Sequence, residues 1–192
     1  MKHIILTICA VIITAVCCQL QAQPSEAEMK AWQDYMTPGD VHKMMAKWDG
    51  EWNEEITHWM KPGEKPQKST ASCVNKMILG GRFQESKHTG SFFGSPFEGI
   101  STTGYDNKKK VFVSSWVDNM GTGIMSMEGT WDDKTKTMNL SGKATDPMTG
   151  KDCTVRETFK IIDDDTQLME MFVTQPGQKE FKSMEIKFTR KK

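Results

Sequence analysis

From Glu51 to the C-terminus, apolar and polar positions alternate with a period of two, and turn residues interrupt the alternation at intervals of roughly 8–12 residues. Trp52, Ile56, His58 and Met60 alternate with Glu51, Asn53, Glu55 and Thr57, which predicts a half-buried strand. Lys61 to Pro66 contains two prolines and cannot lie inside a sheet. Strands follow over 67–79 and 82–89, separated by Gly80-Gly81, and a loop over 90–96 carries Phe92 and Phe93 at its tip. The stretch from Phe97 to Trp131 reads as three strands joined by two tight turns, Tyr105-Asp106-Asn107-Lys108 and Asn119-Met120-Gly121-Thr122-Gly123. Turn residues at 132–134, 146–150, 163–165 and 176–177 set off further strands over 137–144, 153–162, 167–174 and 180–190. The expectation is an all-β fold, an antiparallel up-and-down barrel of roughly ten strands. The turns are short, and closure removes the exposed edges that so long a meander would otherwise carry.

Before Glu51 the period is helical. Ser25-Glu26-Ala27-Glu28 has a capping residue followed by acids that favour a helix N-terminus. Trp32, Tyr35 and Met36 then share one helical face. A second helix is predicted with Thr37 as its cap and Pro38 in its first turn. Val41, Met44, Met45 and Trp48 form its apolar face, and Asp49-Gly50 stops it. Residues 23–50 therefore read as a helical segment packed on the barrel, and residues 51–192 as the barrel domain. Residues 1–22 read as a signal peptide: a basic start, an apolar run from Ile4 to Cys18, and Leu20-Gln21-Ala22 before the cut. The run is shorter than the ~20 apolar residues of a membrane span. Lipoprotein processing at Cys17 or Cys18 is the alternative, although Thr14-Ala15-Val16 does not end in the small residue that precedes a lipidated cysteine. The expected location is periplasmic or secreted, with no transmembrane segment in the mature chain.

Charge and composition narrow the partners. The 192 residues carry 25 basic and 25 acidic side chains, and the predicted signal removes only Lys2 from that balance. A near-neutral chain lacks the basic footprint of a nucleic-acid binder. Of five cysteines, Cys73 and Cys153 lie outside the predicted signal; a disulfide and two separately buried thiols are both open readings. No nucleophile elbow, phosphate loop, zinc-protease motif or Cys-x-x-Cys occurs. Gly121-Thr122-Gly123 reads as a hairpin turn, and Asp163-Asp164-Asp165 as a solvated turn. No spacing of Cys73, Cys153 and a histidine supports a metal site, so none is expected.

Several strands place one ionisable group among apolar neighbours on a face. Glu157 lies between Val155 and Phe159, Glu170 between Leu168 and Phe172, and Asp118 ends a face bearing Phe112 and Trp116. Arg82 follows Gly80-Gly81. Buried charge is costly unless paired. If these faces point inward, Arg82 with Glu157 or Glu170 forms a polar floor inside an apolar barrel, as ligand cavities show. His42 reads as a structural hydrogen-bonding residue, while His58, on an apolar strand face, is the candidate haem or metal ligand. His88 shares a polar face with Arg82, Gln84 and Ser86. The methionines, 15 in all, suit either core filling or an adaptable cavity wall.

Taken together, the chain resembles the bacterial domain-of-unknown-function family DUF1579. The resemblance rests on Thr37-Pro38-Gly39 with His42 and Trp48-x-Gly50-x-Trp52, and on Met77-Ile78-Leu79-Gly80-Gly81-Arg82-Phe83. Pro96-Phe97-Glu98-Gly99, Gly104-Tyr105-Asp106 and Trp116-x-Asp118-Asn119-Met120-Gly121-Thr122-Gly123 extend it. Asp146-Pro147-Met148-Thr149-Gly150-Lys151 and Met169-Glu170-Met171 complete it. It implies a calycin- or lipocalin-like barrel, and it supplies no catalytic residues and no cofactor. The family often has an aliphatic residue where Asp49 stands, a departure expected to loosen that helix end. The leading expectation is an exported protein binding a small apolar or amphipathic ligand, with Arg82, Trp116, Asp118, Glu157 and Glu170 at the site. Alternatives are an enzyme using an Arg/Glu pair in the cavity, haem binding through His58, and an envelope interaction protein presenting the Phe92-Phe93 loop.

Overall fold

The computed structural model describes residues 23–92 and 94–192, so the predicted signal peptide and Phe93 lie outside the described residues. Ten antiparallel strands close into one barrel, each paired with its neighbours in sequence: β1 (Gly50–His58), β2 (Gln67–Ile78), β3 (Phe83–Phe92), β4 (Ser95–Asp106) and β5 (Val111–Asp118). Then come β6 (Met125–Asp132), β7 (Thr137–Thr145), β8 (Asp152–Asp163), β9 (Thr166–Thr174) and β10 (Phe181–Arg190). Pairing of β1 with β10, from Trp52 opposite Arg190 to His58 opposite Met184, closes the ring. β1 ends at His58, so Met60 is an exposed loop residue and not part of the strand.

Two short helices precede the barrel, α1 (Glu26–Met36) and α2 (Asp40–Ala46). α1 has the predicted Ser25–Glu28 capping box but buries no residue. Asn107 in the β4–β5 turn tethers it, donating from Nδ2 to the carbonyls of Asp34, Tyr35 and Thr37. Thr37 closes the end of α1 through Gln33 O, and Gly39 is the N-cap of α2. The expected cap is displaced because the Gly39 N–H donates to Nδ1 of His42, one turn into the helix. His42 is buried against Tyr105, and burial together with the nearby Arg82 charge holds its pKa below the ordinary histidine value.

α2 plugs one end of the barrel. Met45 is wholly buried and packs with Trp48, Phe112, Leu140 and Val155 into the larger core cluster. Asp49 tightens this end and does not loosen it: its carboxylate accepts from the Met77 N–H at 2.9 Å and from Gln84 Nε2 at 3.0 Å. Arg190 adds bonds to the Lys47 and Asp49 carbonyls while lying over the Trp52 ring. A smaller core cluster of Trp52, Cys73, Met169, Ile186 and Phe188 lines the seam where β1 meets β10.

Candidate functional site

Inside the barrel is a cavity of about 1130 Å³, bounded by Trp48 at the α2 end and reaching Met120–Ile124 and Pro147 in the turns at the other. Its wall has two characters. The inward positions of β2 to β5 are mostly small and polar, including Ser69, Ser86, Ser101, Thr103 and Ser114, with Phe92, Phe97 and Trp116 as the large exceptions. Those of β6 to β10 are large and apolar, including Met127, Met138, Phe159, Met169, Met171 and Phe188. Lys143 and Asp152, paired at 3.3 Å, border the cavity, and one further carboxyl, Glu157, interrupts the apolar wall itself. Glu157 has no hydrogen-bond or ion-pair partner among the described residues. Burial raises its pKa from the ordinary value to about 7.

A polar cluster is built into the opposite wall from three adjacent strands. Cys73 of β2 and His88 of β3 are directly opposite in the register, and Glu54 of β1 stands beside them. His88 Nδ1 and Glu54 Oε1 lie 2.6 Å apart, with the Glu54 side chain only 1% exposed. His88 Nε2 lies 3.7 Å from Cys73 Sγ, and the Trp116 ring meets the imidazole edge-on at 5.1 Å. Asn75 donates from Nδ2 to the Trp48 carbonyl, which turns its Oδ1 toward Cys73 to accept the thiol proton at 3.0 Å. Burial, and then the Glu54 carboxylate, push the Cys73 thiol well above its ordinary pKa. A thiol whose proton is held this way is not a ready nucleophile, so the cluster is not poised as a Cys–His–Glu hydrolytic triad.

The structure brings together only some of the residues expected at the site. Trp116, Asp118 and Glu157 line the cavity. Trp116 Nε1 donates to Asp118 Oδ2 at 2.7 Å, and the ring passes so close over Gly99 that no side chain fits there. Arg82 lies outside. Leu79, Gly80 and Gly81 all have positive φ, the chain reverses through them, and Arg82 closes the turn by donating to the Leu79 carbonyl. Glu170 is also outside, paired with Lys182 at 3.1 Å. Both faces of β9 carry apolar residues, and it is the Gln167, Met169 and Met171 set that turns inward. The Arg82–glutamate floor is therefore not formed. Phe92 is in β3, its ring 5.3 Å from His58 and 6.3 Å from Phe97, and it lines the cavity. Cys73 and Cys153 are separate buried thiols with no disulfide between them.

Two signals in the sequence pointed to the polar cluster. Glu54 has the same parity as Trp52, Ile56 and His58, so it belongs to the inward face of β1. A tight reversal at Leu79–Arg82 sets Cys73 opposite His88, because hairpin register follows from the turn.

The family model described as "Protein of unknown function (DUF1579)" matches residues 37–190. The chain belongs to the DUF1579 family. No curated protein matches it. Among solved structures, this DUF1579 barrel is similar to Rv2717c from M. tuberculosis, at 13% identity and a TM-score of 0.60, covering 81% of this chain and 100% of that one. A redesigned β-barrel is also similar, at 13% identity, a TM-score of 0.42 and coverage of 77% and 95%. The first likeness shows a shared barrel fold. No helix among the described residues is long and apolar enough to cross a membrane.

Proposed function

We propose that this DUF1579 barrel is an exported protein that binds a small amphipathic molecule in its interior. The two-sided cavity of about 1130 Å³ carries the reading. Its methionine-rich wall adapts to an apolar surface of irregular shape, while the facing serines, threonines and His88 offer hydrogen bonds to a polar edge. Trp116 stands at the boundary between the two walls, stacked on Phe97. Export is supported by the basic start, apolar run and small-residue cleavage pattern of residues 1–22. Native mass spectrometry after gentle purification from the producing cell is the test. A bound small-molecule mass is expected, lost when Ser86→Phe fills the cavity. A barrel that stays empty and displaces no amphipathic fluorescent probe overturns the reading.

Haem binding through His58 is the second reading, favoured by the imidazole's buried place on the cavity wall. Adding haem then produces a Soret band that His58→Ala abolishes; an unchanged band in that variant dismisses it.

A further inference from the structure

The Glu54–Cys73–His88 cluster is more than the amphipathic-ligand reading requires. A cavity wall meant only to hydrogen-bond a ligand has no need of a carboxylate that is 1% exposed, and a buried ionic group is costly to desolvate unless it is compensated. The three side chains offer one oxygen, one sulfur and one nitrogen donor, and these atoms lie within 4.8 Å of one another.

We propose that Glu54, Cys73 and His88 form a binding site for a divalent transition-metal ion of the zinc type, with a further coordination position open to the barrel cavity. Thiolate, imidazole and carboxylate together are the donor set such a borderline ion takes. Charge selects the valence. Two positive charges are balanced by one carboxylate and one thiolate beside a neutral imidazole, leaving a site of zero net charge in a low-dielectric wall. A monovalent ion would leave the same wall negative. On binding, the Cys73 thiol proton leaves to solvent and His88 ligates as the neutral imidazole through Nε2, the nitrogen facing Cys73, while Glu54 exchanges its 2.6 Å contact with Nδ1 for a metal–oxygen bond. Donor separations of 3.7 Å, such as Cys73 Sγ to His88 Nε2, are close to those around a tetrahedral ion with bonds of about 2.0–2.3 Å. The strands hold the donors on a rigid scaffold, and Asn75 and Trp116 pack around them. His88 and Cys73 both line the cavity, so the ion enters from its mouth, and three protein ligands leave a position for water or a ligand group.

The test uses the protein freed of metal by chelation and titrated with Co²⁺, then with Zn²⁺. One equivalent of Co²⁺ is expected to bind with a near-ultraviolet thiolate-to-metal charge-transfer band, and Zn²⁺ should displace it. Cys73→Ser should abolish the band and weaken binding at least tenfold, and Glu54→Gln should weaken it by a similar factor. X-ray absorption of the zinc-loaded wild type, which needs no variant, should show one sulfur at about 2.3 Å with nitrogen and oxygen at about 2.0 Å. A spectrum without sulfur, or binding equal in wild type and Cys73→Ser, overturns the site.

Discussion

The two walls of this barrel are built from the same antiparallel meander, yet they hold together by different physics. On the β1–β5 side, the inward groups satisfy one another: Glu54 with His88, Cys73 with Asn75, Thr103 with Ser114 at 3.3 Å. Each such bond nets only about 1 kcal/mol, but a partner left alone in the wall incurs the full desolvation cost. On the β6–β10 side, methionines and aromatics contribute by burial, which is non-directional and tolerant of shape. Glu157 breaks that pattern with no partner to offset its burial, whereas the other charged groups bordering the cavity on this side, Lys143 and Asp152, pair with each other. One wall is thus specific and brittle, the other adaptable.

The largest effect should come from breaking the specific wall. His88→Ala leaves the Glu54 carboxylate buried and unpaired, at a cost of about 3–5 kcal/mol by urea denaturation. Adding Glu54→Met to that variant should recover much of the loss; no recovery would show that the pair acts through shape alone.

The Glu157 carboxyl comes next. Its folded pKa of about 7 stands above the ordinary 4.5, so the native state holds a proton that the unfolded chain releases. Stability should therefore fall as pH rises from 4.5 through 7, by at most about 3 kcal/mol and less where cavity water shields the charge. Glu157→Gln should flatten that part of the pH–stability curve. A wild-type curve already flat there would return Glu157 to an ordinary solvated acid.

On the adaptable wall, Met169→Ala should cost about 2 kcal/mol, the low end for such truncations, because the side chain already borders open space. Leu140→Ala, in the filled end beneath α2, should cost more. Equal losses at the two positions would mean that the cavity collapses in solution. Smallest of all, Arg82→Ala and Glu170→Gln should each change stability by less than about 1 kcal/mol and leave any cavity ligand in place, since both sit outside the barrel.

Those last two residues show where sequence reasoning reaches its end. Arg82 was expected inward because it begins an apparent strand, but three consecutive positive φ angles make it the end of a turn. Glu170 was expected inward because Leu168 and Phe172 flank it, yet Met169 and Met171 offer an equally apolar face, and alternation cannot rank two apolar faces. Cys73 and His88 were each visible in the sequence, whereas Glu54 was marked only by sharing the parity of Trp52 and Ile56. Their meeting required the registers of two strand pairs, Trp52 opposite Cys73 and Cys73 opposite His88.

What the sequence determined by itself is the meander: ten strands, their order and nearly all their turns. The reason is local, since turn residues and a period of two act over neighbouring residues and each strand pairs with the next. The tertiary structure alone decided which face of each strand curves inward, that α2 rather than α1 plugs the barrel, and which polar side chains converge. Those outcomes depend on closure of β1 onto β10, about 130 residues apart in the chain. No local pattern encodes a contact of that range; only the packed ring gives Glu54 and His88 a common interior.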